Sequence, residues 1–154
     1  MPTYTCTAAS GLLNQEQKDA IAHAVTRAHS EIGGAPSFFV QVYFQEVPEG
    51  DLYIGGGPLA HDHIFLYGRI RGGRGDIMRK SLIKRLSDDV AGVLGVQAFA
   101  VWVYLLELPA AAMVEFGHIL PEAGEEAAWT KALSGEERKK MQAIEERLAA
   151  SEGD

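Results

Sequence analysis

The sequence repeats itself, and that repeat constrains the fold more than any other feature. Laying residues 21–48 over residues 82–109 without a gap, at a constant offset of 61, gives seven identical pairs: Gly34/Gly95, Phe38/Phe99, Val40/Val101, Val42/Val103, Tyr43/Tyr104, Glu46/Glu107 and Pro48/Pro109. Several other pairs are apolar in both copies. Chance supplies about two or three identities over such a length, so the chain carries a duplicated supersecondary unit.

Each copy has the same order of elements. Thr3, Tyr4, Thr5, Cys6 and Thr7 alternate within a strand over residues 2–8. Asn14 with Gln17 forms a capping box, Ile21, Val25, Ala28 and Ile32 place an apolar stripe on one helix face, and Gly33 and Gly34 stop that helix. Phe38, Val40, Val42 and Phe44 then alternate with Gln41, Tyr43 and Gln45 in a second strand. The second copy reads as a strand over 63–71, a helix from 76 to about 94 and a strand over 99–108. Strand, helix and strand in so little chain imply a parallel pair joined by a right-handed crossover.

One β-α-β unit leaves the sheet face opposite its helix bare. Two units therefore join edge to edge, giving an α+β fold: a four-stranded mixed sheet with both helices on one side. If a pseudo-twofold axis relates the copies, their first strands run antiparallel as neighbours. The other face carries Tyr43, Trp102 and Tyr104 by alternation, which predicts a homo-oligomer that covers it.

Residues 48–61 between the copies are rich in Gly and Pro, with 51–54 as a candidate short strand. After Pro109 come a turn containing Glu115, the stretch 121–124, and a last helix capped by Ser134 with Glu137, whose narrow stripe is Met141, Ile144 and Leu148. Nothing there reads as a second unit. The 154 residues are thus expected to form a single domain over 1–154, with the repeat at 2–48 and 63–109 and a C-terminal arm at 121–154.

The net charge of −7 argues against nucleic acid as a partner. No apolar run reaches the roughly 18 to 20 residues of a membrane span, and the first residues lack the pattern of a signal peptide. With Cys6 as the single cysteine, the expected location is the cytoplasm.

The copies also differ, and the differences locate chemistry. Pro2 aligns with His63, so only the first copy begins with a secondary amine once Met1 is removed. Such an amine serves as base, acid or nucleophile, and it titrates in the range enzymes use. Arg71 and Arg74 align with Ser10 and Leu13, so only the second copy has the arginines. Antiparallel first strands bring Pro2 to face Arg71 and Arg74. The stretch Arg71-Gly-Gly-Arg74-Gly precedes a helix N-terminus, where guanidinium forks and open backbone favour a carboxylate or phosphate. The alternative is a surface loop whose arginines pair with the surplus acids.

Pro2-Thr-Tyr-Thr, Ala28-His29, Arg71-Gly-Gly-Arg74, Trp102-Val-Tyr104 and Met113-Val-Glu115-Phe-Gly117 together resemble the tautomerase superfamily, specifically the cis-3-chloroacrylic acid dehalogenase family. The similarity runs to about Trp129 and departs at Ile70, Gly72 and the loop before His63. The resemblance implies a trimer of fused β-α-β chains acting on a small carboxylate without metal or organic cofactor. It implies that Arg71 and Arg74 hold the substrate carboxylate and polarise an unsaturated acid, with His29 orienting it. Glu115 as general base, with Tyr104, would activate water for attack at C3, and protonated Pro2 would deliver a proton at C2. A 3-haloacrylate or an acetylenic acid then gives malonate semialdehyde.

Read singly, each of these residues has a structural role open to it. His29 flanks an apolar helix face, Tyr104 suits the sheet face, and Glu115 is one acid among many. His61-Asp-His63 has metal-ligand types but no neighbouring cluster, so no metal is expected. Asp89 on the second helix's apolar face reads as a hydrogen-bonded structural carboxylate, and Cys6 as strand packing. Two other functions fit the pattern: a Pro2-dependent keto-enol tautomerase of 2-oxo acids, and a non-catalytic trimeric binding protein.

Overall fold

The structure, a computed structural model, describes residues 2–151. The expected removal of Met1 and the last three residues of the C-terminal arm lie outside the described residues.

β1 (Thr3–Ala9) leads into α1 (Gln15–Gly33), whose start is fixed reciprocally: the Gln17 N–H donates to Asn14 Oδ1 at 2.8 Å and the Asn14 N–H to Gln17 Oε1 at 3.0 Å. α1 ends at Gly34, at φ 65°, whose N–H returns to the Ser30 carbonyl at 2.9 Å. β2 (Gln41–Val47) follows, and a hairpin of β3 (Tyr53–Ile54) and β4 (Gly57–Pro58) occupies the linker. Its turn residues Gly55 and Gly56 both take positive φ, as a two-residue hairpin turn requires. β5 (Ile64–Arg71), α2 (Asp76–Leu94) and β6 (Val101–Leu108) repeat the unit. α2 ends at Gly95, again at φ 65°, so the matching glycines cap both helices alike.

The sheet order is β2-β1-β5-β6. β1 is parallel to β2, β5 is parallel to β6, and β1 meets β5 antiparallel with Thr3 opposite Arg69 and Ala8 opposite Ile64. This is the expected mixed sheet of two fused β-α-β units. Both helices cover one face, where Tyr4, Cys6, Ile64, Leu66 and Ile70 pack against Ile21, Val25, Leu82, Leu86 and Val90. Gly68 makes this packing possible. A Cβ there would lie 2.5 Å from the Tyr4 ring and 2.7 Å from Leu105, so only glycine lets the phenol cross β5. The other face presents Tyr43, Trp102, Tyr104 and Leu106 to solvent, as the alternation predicts.

Two expectations are corrected. The second strand of each unit begins later than residues 38 and 99. Ser37–Phe39 and Ala98–Ala100 are 3-10 turns, closed by Val40 N–H to Ser37 O at 3.0 Å and Ala100 N–H to Gln97 O at 2.9 Å. The arm holds two helices rather than one, a short α3 (Glu126–Ala132) preceding α4 (Gly135–Ser151). The Ser134 and Glu137 cap stands at the start of α4 as expected.

The turn containing Glu115 is a hairpin of β7 (Val114–Glu115) and β8 (His118–Ile119). Ala35, Phe39, Ala110 and Leu120 form a second apolar cluster, joined by Phe38, Met113 and Trp129, that fastens this hairpin to the end of the main sheet. The Trp129 indole donates to the Ile119 carbonyl at 2.9 Å, and His118 Nε2 lies 2.7 Å from Glu137. His118 and the Ser134 cap hold the Glu137 carboxyl down to about 2.

Candidate active site

The start of β1 lies beside the end of β5. Continuing the register past Thr3 and Arg69 sets residue 2 level with Ile70, one position short of Arg71. Pro2 is buried, and its carbonyl accepts the Gln41 N–H at 3.0 Å. From there the chain separates two regions, because Thr3 and Tyr4 point to opposite faces.

On the helix side, the Tyr4 hydroxyl lies 2.7 Å from His29 Nδ1, with the rings edge to face. Burial, with Arg74 and Arg71 adding to it, lowers His29 to about 3, so the ring is neutral at any ordinary pH. Burial likewise holds the Tyr4 phenol well above its usual range, against the pull of Arg74. Arg74 reaches the end of α1: a Cβ on Gly33 would meet Arg74 Nη1 at 2.6 Å and His29 Nε2 at 3.1 Å. Gly33 thus leaves room for the guanidinium beside the imidazole. Burial and the like charge of Arg71 lower the Arg74 pKa, yet a guanidinium stays cationic.

Arg71 is buried and largely committed. Nη1 donates to the Pro121 carbonyl at 2.6 Å and the Glu122 carbonyl at 3.4 Å, and Nη2 pairs with the Glu126 carboxylate. Its Nε is buried and has no partner among the described residues. Burial works to raise the Glu126 carboxyl, but the Arg71 hydrogen bond and backbone N–H groups outweigh it and hold the group below its ordinary value.

On the other side opens a cleft of about 510 Å³ lined by Thr3, Gln41, Phe38, Phe39, Met113, Glu115 and Phe116 among others. Phe116 stands at φ 53° in the hairpin turn, a conformation that costs a non-glycine residue about 1–3 kcal/mol and keeps its ring against Phe38 and Phe39. Glu115, next to that turn, thus faces a pocket with apolar walls and a polar floor of Thr3 and Gln41.

Of the residues singled out in the sequence, His29, Arg71 and Arg74 come together beside the level of Pro2, and Glu115 lines the cleft with Thr3. Tyr104 does not join them. It is 55% exposed on the open face, packs edge-on to Phe65 at 5.1 Å, and lies level with Tyr67 and Thr5, two strands from β1. His61 and His63 have ring centroids 6.4 Å apart, and no cluster of three or more metal-ligand side chains exists among the described residues. Asp89 accepts a hydrogen bond from Arg85 Nε at 2.7 Å, and Cys6 is buried, its thiol pushed up to about 12. Tyr4 and Glu126 went unmarked in the sequence. Tyr4 left one signal, a hydroxyl at a core position, which demands a partner.

The family model described as "Putative oxalocrotonate tautomerase enzyme" matches residues 1–134. The fold and this match make the chain a tautomerase-superfamily enzyme. Among solved structures, N1, a member of the cis-3-chloroacrylic acid dehalogenase family, is 32% identical, with a TM-score of 0.84 over 96% of this chain and 99% of that one. The chain belongs to that family. Pt0534 inactivated by 2-oxo-3-pentynoate is 27% identical, with a TM-score of 0.70 over 82% of this chain and 98% of that one. A fused 4-OT asymmetric trimer, 23% identical, shares the fold with a TM-score of 0.71 over 82% of this chain and 98% of that one. No curated protein matches the sequence.

Proposed function

We propose that the protein is a Pro2-dependent, cofactor-independent enzyme that hydrates small α,β-unsaturated carboxylates, including hydrolytic dehalogenation of cis-3-haloacrylates. One observation carries this reading. A cation, Arg74, meets a neutral histidine at Gly33 and feels the charge of a second, buried arginine whose Nε has no partner among the described residues, at the strand end where residue 2 lies. Such a cradle asks for an anion.

In the reaction, Arg74 and Arg71 Nε bind the carboxylate, and His29 orients it. Withdrawal of electron density toward the carboxylate makes C3 electrophilic. Glu115 takes a proton from water as the water oxygen bonds to C3, and the Pro2 ammonium gives a proton to C2. From propiolate this yields the enol of malonate semialdehyde. From a 3-haloacrylate it yields a halohydrin, which loses halide and a proton to give the same aldehyde.

Tyr104, which does not line the cleft that holds Glu115 in its own chain, serves the site of a neighbouring copy in a homotrimer. The apolar face it stands on supports that assembly, as does the trimeric form of a fused 4-OT of this fold. A reducing cytoplasm suits the unpaired Cys6.

A second reading has its own support. A neutral Pro2 would act as base, shuttling a proton in keto-enol tautomerisation of 2-oxo acids, the class to which the inactivator of Pt0534 belongs. The deciding experiment is incubation with cis-3-chloroacrylate and with propiolate. Malonate semialdehyde, absent in Pro2→Ala, supports hydration; no product from either acid rejects it.

A further inference from the structure

The arginines at the strand end do not carry equal charge into the site. The Arg71 side chain is 1% exposed and pairs with Glu126, whose second carboxylate oxygen accepts the Gly124 N–H at 2.8 Å. Glu126 is therefore fixed at both oxygens. Arg79 is occupied as well, bound to Glu107 at 2.6 Å and to Asp76. Arg74 alone of the three makes no ion pair among the described residues.

We infer that Glu126 sets the charge capacity of the anion site, so that it accepts a single carboxylate and rejects dianions such as dicarboxylates and phosphate. The inference rests on the proposed carboxylate reading and narrows it. With Arg71 neutralised by Glu126, Arg74 is left as the cation for substrate. In the hydration step the Pro2 ammonium and the Glu115 carboxylate offset each other. One carboxylate then balances the site. A second negative charge would be buried without a partner, in surroundings where Coulomb energies are larger than in water. Arg71 Nε has no partner among the described residues, so Glu126 removes charge from the site without occupying that donor.

Glu126 acts here through its pair with Arg71 and through its field at Arg74, as a specificity-determining residue rather than a group that touches substrate. The test compares binding of two cis-alkenes of like shape, isocrotonate with one carboxylate and maleate with two. Binding is followed by calorimetry on the full-length protein in its assembled state. The wild type should favour isocrotonate by at least about tenfold. Glu126→Gln keeps a hydrogen-bond acceptor for Arg71 and removes the charge, and it should shift the ratio toward maleate by about tenfold or more. Glu126→Asp retains the charge and should keep the wild-type ratio.

Equal binding of the two acids by wild type overturns the inference, as does a Glu126→Gln ratio unchanged from wild type. So does failure of both acids to bind, which also removes the anion site. Loss of the hydration reading looks different: no malonate semialdehyde from propiolate, while the charge selectivity stands.

Discussion

The Tyr4 hydroxyl and His29 Nδ1 lie 2.7 Å apart, both side chains buried, and this pair links the first strand to α1, whose end Arg74 reaches. Tyr4→Phe leaves a buried imidazole nitrogen without its partner. A stability loss of about 1–3 kcal/mol is expected. Urea unfolding measures it, and a variant as stable as wild type would show the hydrogen bond to be unimportant.

The same pair gives a pH dependence. His29 is lowered to about 3 in the folded protein and returns to its ordinary value near 6.5 on unfolding, so the unfolded chain binds the extra proton between these limits. Stability is then unaffected by His29 above pH 6.5. It falls as pH drops from 6.5 toward 3, by up to about 1.4 kcal/mol per pH unit. His29→Gln should flatten that part of the profile, as seen by comparing unfolding at pH 7 and pH 4.5.

Arg71 and Arg74 should fail differently when replaced by alanine. Arg74→Ala removes the unpaired cation, so KM should rise at least about tenfold with little change in Tm. Arg71→Ala leaves Glu126 and the Pro121 carbonyl without their donor, and should cost about 1–3 kcal/mol of stability as well as activity. Equal melting temperatures for the two variants would contradict the assignment.

Gly68→Ala tests how tightly the phenol is placed. The new methyl would sit 2.5 Å from Tyr4 and 2.7 Å from Leu105, and overpacking of this kind costs about 1–3 kcal/mol. Because Tyr4 must shift to admit it, activity should fall along with Tm. Unchanged melting and turnover in this variant would mean that β1 and β5 yield easily.

The imino group can be trapped. An acetylenic 2-oxo acid, 2-oxo-3-pentynoate, should add covalently to residue 2 of the mature protein and abolish turnover. Peptide mass spectrometry locates the adduct. Modification elsewhere, with activity retained, would remove Pro2 from the chemistry.

The helices and the sheet were legible in the sequence because local signals agreed. Asn14 with Gln17, the glycines at 34 and 95, and the alternation around Val42 and Val103 each state a local geometry that the duplicated unit enforces twice. The strand starts misled because Phe38 and Phe99 continue an alternating pattern into turns that local backbone hydrogen bonds decide. The short helix α3 carries no fully buried residue and hence no apolar stripe to read. Glu126 was hidden for a related reason: its partner is 55 positions away in the chain, and nothing in an acidic tail marks one carboxylate out. The meeting of His29 and Arg74 was legible only through the seam between the copies, since they come from opposite halves.

That antiparallel seam between β1 and β5 has a numerical consequence. Each end of it combines the beginning of one half with the finish of the other, and the end opposite Pro2 offers His63 with Ser10 and Leu13 in place of the imino acid and its arginines. A chain with two matching ends would offer two sites; under the proposed function this one offers a single site. One equivalent of a covalent inactivator per polypeptide should therefore silence it completely.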